Sequence, residues 1–110
     1  MKYLFLILVL AVFISGCAQQ AEIQTQGKNQ TDVSIKNFQF VPGSIVVDAG
    51  ATVTWINEDK AQHIIKSDSG LFESNSLENG GMYQYTFENA GEYDYHCSIH
   101  PSMQGKVIVK

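Results

Sequence analysis

The stretch Gly91-Glu92-Tyr93-Asp94-Tyr95-His96-Cys97-Ser98-Ile99-His100-Pro101-Ser102-Met103-Gln104-Gly105-Lys106-Val107 carries two patterns, one of structure and one of chemistry. In its first half Tyr93, Tyr95 and Cys97 alternate with Asp94 and His96. A period of two is the mark of a β-strand with one buried face. Cys97 therefore shares a face with the tyrosines, and His96 points to the outside. After the strand, Cys97, His100 and Met103 fall at the spacing C-x2-H-x2-M around Pro101. A tight loop of that spacing turns three side chains towards one point.

The neighbouring sequence repeats the strand signal. Val33-Ser34-Ile35 alternates, and so does Phe38-Gln39-Phe40, with a phase slip between them that predicts a bulge. Ile45 to Val47 is a β-branched run after Pro42-Gly43, and Thr52 to Ile56 is a second strand-former after the turn Asp48-Ala49-Gly50. Asn57 to Gln62 reads as polar loop, and His63-Ile64-Ile65 resumes a strand. Tyr83, Tyr85 and Phe87 alternate with Gln84 and Thr86, Asn89-Ala90-Gly91 is a turn, and Lys106 to Lys110 is a last strand. Leu71 to Asn79 has room for one short helical turn. Short strands separated by turn residues, with no sustained helical period, predict an all-β sandwich or barrel.

His63 lies far upstream of the Cys97 loop, at the start of another strand. With it, the candidates number two imidazoles, one thiolate and one thioether. That is the donor set of a blue-copper electron-transfer centre. Zinc prefers four firm N, S or O donors, so Met103 favours copper. Each residue alone has a plainer role, as core filler or surface histidine. The spacing and the β-rich setting together outweigh those roles. The chain has three histidines and no H-x-H pair, so it lacks the donors for a second copper site. That argues against an oxidase or reductase and for an electron carrier rather than an enzyme.

The N-terminal end reads differently. Lys2 precedes an apolar run from Tyr3 to Ile14, shorter than the roughly 20 residues a membrane span needs. It reads as the hydrophobic region of a secretory signal over residues 1–16. Ile14-Ser15-Gly16-Cys17 resembles a bacterial lipobox, which implies cleavage before Cys17 and lipid attachment to it. A retained N-terminal anchor helix is the alternative. Residues 17–30 are Gln-rich and polar, the composition of a tether. The folded domain spans 31–110, about 80 residues, a size that is marginal without a staple. Once Cys17 carries lipid, Cys97 has no disulfide partner, and metal ligation supplies the staple. There is no Arg, and from Cys17 onward six Lys face eleven Asp and Glu, a net charge near −5. Nucleic acid is excluded as a partner, because it requires a basic footprint.

Taken in combination, these motifs resemble the cupredoxin family, and within it amicyanin and the plastocyanin-like proteins. Phe40-Val41-Pro42-Gly43-Ser44-Ile45 leading to Gly50-Ala51-Thr52-Val53-Thr54-Trp55-Ile56-Asn57 is similar to the strand pair before the first ligand. Asn57-Glu58-Asp59-Lys60-Ala61-Gln62-His63 resembles the N-x-D-x3-H segment that delivers it. The strand into Cys97 and the short loop with Pro101 and Gly105 resemble the amicyanin ligand loop. The resemblance runs from Phe38 to Val109. It implies a Greek-key β-sandwich of seven to eight strands and one type 1 copper ion held by His63, Cys97, His100 and Met103. It further implies a monomeric one-electron carrier serving a redox partner such as a cytochrome or oxidoreductase, and the leader with its lipobox-like end predicts that the carrier is anchored at the outer face of the cytoplasmic membrane. A copper delivery protein is the competing function; its weakness is that only Met82 and Met103 remain after the leader. Two positions depart from the pattern. Gln62 replaces a common Pro, and Ile64 replaces an Asn whose side chain ties the ligand loops together. The Ile64 backbone N–H remains able to donate to the Cys97 sulfur.

Overall fold

A computed structural model describes residues 30–110. The expected leader over 1–16, the lipid-bearing Cys17 and all but the end of the tether lie outside the described residues. The domain is built from eight strands: β1 (Asp32–Lys36), β2 (Gln39–Val41), β3 (Ser44–Val47), β4 (Ala51–Asn57), β5 (Ile65–Ser67), β6 (Met82–Phe87), β7 (Gly91–Cys97) and β8 (Gln104–Val109). They form two four-stranded sheets, ordered β2-β1-β4-β6 and β3-β8-β7-β5. β1 runs parallel to β4 and β3 parallel to β8, and the remaining pairs are antiparallel. Chain neighbours are thus divided between sheets, as in a Greek-key sandwich.

Alternation decides which side chains meet between the sheets. In β4, Val53, Trp55 and Asn57 are fully buried while Thr52, Thr54 and Ile56 face outward. Trp55 sits at the centre, with Tyr95 edge-on at 5.3 Å between centroids and Phe72, Tyr83 and Phe87 around it. Val33 and Ile35 from β1, Ile65 from β5, and Val107 and Val109 from β8 complete the layer. β7 brings Tyr95 and Cys97 into the same interior, both essentially inaccessible. Opposite Tyr95 in the ladder stands Gly105. The Tyr95 ring lies across it, and any Cβ there would run into the ring.

Two local expectations are corrected. The phase slip between Val33-Ser34-Ile35 and Phe38-Gln39-Phe40 is a tight hairpin, not a bulge. β1 and β2 pair through Lys36 and Gln39, leaving Asn37 and Phe38 as the turn, with φ of +54° and +57°. Both positive values match the right-handed twist of a hairpin. The alternation therefore places Phe40 in the core and Phe38 outside it. The stretch Leu71 to Asn79 holds no helical turn. It stays extended and makes single bridges, Leu77 to His63 and Glu73 to Lys66. Its backbone is satisfied in part by side chains: the Ser67 hydroxyl accepts from the N–H of Leu71 and Phe72, and the Ser74 hydroxyl accepts from Ile65. Phe72 then reaches inward to stack on Tyr85 at 4.6 Å.

Candidate metal centre

The loop after β7 explains its own spacing. The His100 N–H donates to the Cys97 carbonyl at 3.2 Å, and the Met103 N–H donates to the His100 carbonyl at 2.9 Å. Each is a tight turn that returns the chain after three residues. The Cys97 N–H closes the loop by donating to the Met103 carbonyl at 3.1 Å. Two successive turns bring residues 97, 100 and 103 to one end of the sandwich. Cys97 and Met103 are buried there, and His100 is half-buried at the rim.

His63 arrives from the connection between β4 and β5. The fully buried Asn57 organises that connection: its amide donates to the carbonyls of Ala61 and Leu77, each at 2.9 Å, and its carbonyl accepts from the Asp59 N–H. His63 itself exchanges two backbone hydrogen bonds with Leu77. Gln62 ties the same loop to Glu78 and Ser76. In place of a side-chain tie at Ile64, the backbone links the two ligand loops. The Ile64 N–H approaches Cys97 Sγ at 3.5 Å, and the Ser98 N–H donates to the Ile64 carbonyl at 3.0 Å.

These elements bring three donor atoms together. Cys97 Sγ stands 3.6 Å from His63 Nδ1 and 3.7 Å from His100 Nδ1. All three atoms lie within 4.8 Å of one another. Donors each about 2.0–2.3 Å from a shared ion stand roughly this far apart, so the cluster fits a small metal ion. Two imidazoles and a buried thiolate favour copper over hard cations. Met103 closes the same loop from the core side.

Two residues shape the centre without having been singled out from the sequence. Asp59 Oδ2 lies 2.9 Å from His63 Nε2, so Nε2–H donates to the carboxylate and Nδ1 keeps its lone pair facing Cys97. The same carboxylate accepts the N–H groups of Asn37 at 2.7 Å and Phe38 at 2.9 Å. Burial pushes the Asp59 carboxyl up, but the Phe38 N–H, the His63 ring and the Asn37 N–H outweigh it and hold it below the usual carboxylate value. The second residue is Phe38. Its ring stands edge-on to both imidazoles, 5.2 Å from His63 and 5.0 Å from His100. The sequence signals were an acid inside Asn57-x-Asp59-x3-His63 and an Asn before the out-of-phase Phe38, but neither shows which loops meet.

His96, expected on the outer face, points away from the centre and pairs with Asp68 at 2.6 Å. Among the described residues, the only cluster of His, Cys and acidic donors suited to a metal is His63, Cys97 and His100.

Comparison with known proteins agrees with this geometry. The family model of the cupredoxin-like domain matches residues 4–109. The chain belongs to the cupredoxin family. Amicyanin of Paracoccus denitrificans is 37% identical over 83 residues, covering 71% of this chain and 63% of that protein. The chain thus spans less than two thirds of the length of that relative. Amicyanin-alpha of Methylorubrum extorquens is 32% identical over an alignment of 119 positions that covers both proteins fully. A solved structure of a reduced amicyanin variant superposes with a TM-score of 0.70 at 31% identity, covering 78% of this chain and 87% of that one. A purple cupredoxin from Nitrosopumilus maritimus superposes at 0.68 with 32% identity, covering 74% of this chain and all of that one. Copper is the cofactor that this cupredoxin domain and its His-Cys-His donor set fit.

Proposed function

We propose that this cupredoxin is a type 1 copper electron carrier whose metal is held by His63, Cys97, His100 and Met103. The observation that carries the reading is the fully buried Cys97 thiol in a compact triangle with two imidazole nitrogens, at 3.6 and 3.7 Å. Bound copper supplies a one-electron couple. The protein supplies donors that stay in place: a ligand loop closed by three backbone hydrogen bonds and a His63 anchored at its far nitrogen by Asp59. The Ile64 N–H offers the thiolate a hydrogen bond that tunes it. A delivery protein needs ligands that exchange readily, whereas His63 and Cys97 are inaccessible and Met103 nearly so.

The full chain, purified in detergent and loaded with Cu(II), is expected to show an intense thiolate-to-copper absorption band in the visible. Cys97→Ser abolishes it, because an alcohol does not replace the thiolate. Met103→Leu keeps the colour and shifts the reduction potential, as a weak axial donor does. Copper binding by the unmodified chain without that band would overturn the reading.

The lipobox-like Ile14-Ser15-Gly16-Cys17 and the polar tether after it support an anchored location on the outer face of the membrane, facing a redox partner protein. Cys17→Ser moves the protein out of the lipid-modified fraction, read by mass spectrometry of membranes. An unmodified Cys17 in the parent protein contradicts the anchor.

A further inference from the structure

We propose that Phe38 is a positioning residue for the metal centre: its ring holds the imidazoles of His63 and His100 in their metal-binding orientation. The inference rests on the copper reading above and adds a residue outside the ligand loops. Three rings form a closed set. Phe38 meets His63 at 82° and His100 at 88°, and the imidazoles meet each other at 5.1 Å and 62°. Edge-to-face contacts of this kind are favourable beyond simple burial. His63 is held independently through Nε2 by Asp59. Among the described residues no side-chain hydrogen bond to His100 is found apart from the thiol contact, so ring contacts, with Phe38 and with His63, restrain that imidazole at the rim.

The position is a poor one for phenylalanine on grounds of stability. Its φ is +57°, a region that bulky residues avoid and glycine or asparagine accept. The residue is 48% exposed, so little of the ring is gained as core. A residue chosen only to make the β1–β2 turn would be glycine. Asp59 compensates for the conformation by accepting the N–H of both turn residues while its Oδ2 holds His63. One carboxylate thus fixes the turn and one of the two ligands that the turn's ring covers.

Phe38→Gly separates the two roles, because it removes the ring and relaxes the backbone together. In the full chain the copper-free protein should unfold at the parent midpoint or above it. Removal of Cu(II) by an excess of strong chelator should be about ten-fold faster, the factor of one good aromatic contact. In the copper-free state the His100 ring resonances should broaden or move towards those of a freely rotating imidazole. Phe38→Tyr keeps the ring and restores both readings. Copper release and His100 resonances unchanged in Phe38→Gly would overturn the proposal. So would faster release that tracks a loss of stability and is not restored by Phe38→Tyr. The resonance test uses metal-free protein, so it stands or fails separately from the copper assignment.

Discussion

Tyr95 and Gly105 show how one side chain is built around another. The Tyr95 hydroxyl is buried beside the Trp55 indole nitrogen, and neither atom makes a hydrogen bond of good geometry. Burial pushes the ionisation of Tyr95 up to about 12, a rise that the Trp55 N–H offsets only in part. An unpaired buried hydroxyl costs about 1–3 kcal/mol, so Tyr95→Phe should stabilise the copper-free protein by about 1 kcal/mol in urea unfolding. The sign with pH follows from the same shift. A raised folded-state value favours the neutral phenol, so its contribution is complete below the ordinary value near 10 and is lost as pH rises towards 12. Stability should fall across that window in the parent and fall less in Tyr95→Phe. Gly105→Ala places a Cβ against the Tyr95 ring and should cost about 1–3 kcal/mol, since a packed β-ladder cannot widen freely. The double variant Tyr95→Leu with Gly105→Ala should recover part of that loss, because the clash belongs to the ring.

At the scale of elements, strands carry the core while connections carry the chemistry. The β4–β5 connection depends on Asn57, which is fully buried and makes three hydrogen bonds to backbone groups. Asn57→Ala leaves the Asp59 N–H and the carbonyls of Ala61 and Leu77 without that partner. The expected loss is about 3 kcal/mol in urea unfolding of the copper-free protein. His63 rides on this connection, so the same variant should also weaken copper binding, measured by chelator competition. Unchanged affinity would show that the Leu77 bridge alone suffices to place His63. The β7–β8 loop behaves as a second unit. Its two turns require exactly the x2 spacings between Cys97, His100 and Met103, and one residue inserted between His100 and Met103 breaks the second turn. Such an insertion should shift the visible absorption of the copper-loaded chain without unfolding the sandwich.

For the molecule as a whole, the metal joins parts that are distant in the chain. His63 leaves one strand connection and Cys97 to Met103 another, so an ion bound to them links both sheets' loops. Binding to the folded state alone stabilises by mass action, about 4 kcal/mol at a free ligand concentration of roughly 1,000 Kd. For a domain of this size that corresponds to a rise in melting midpoint of more than about 10 °C. Calorimetry of the chain with and without copper should show the rise, and Cys97→Ser should lose most of it. Equal midpoints with and without metal would show that the sandwich is stable on its own terms and that the ion is not a staple.

Much of this protein follows from local pattern. β4 was marked by its run of strand-forming residues. Period-two alternation marked β6 and β7 and their inward faces, because pleating alone determines which side a residue occupies. The same rule separated Cys97 from His96. The x2 spacings marked a compact ligand loop, because tight turns act within four residues. What local pattern could not reach were the contacts between segments distant in the chain. The Asn37-Phe38 turn looked like a bulge, since a break in phase does not say whether the chain kinks or reverses. Leu71 to Asn79 looked capable of a helical turn, since its bridges to His63 and Lys66 lie in another part of the sequence. Asp59 as anchor of His63, and Phe38 as neighbour of both imidazoles, depend on β1 and β4 lying side by side in parallel. That adjacency is a property of the sheet order, which no short stretch of sequence contains.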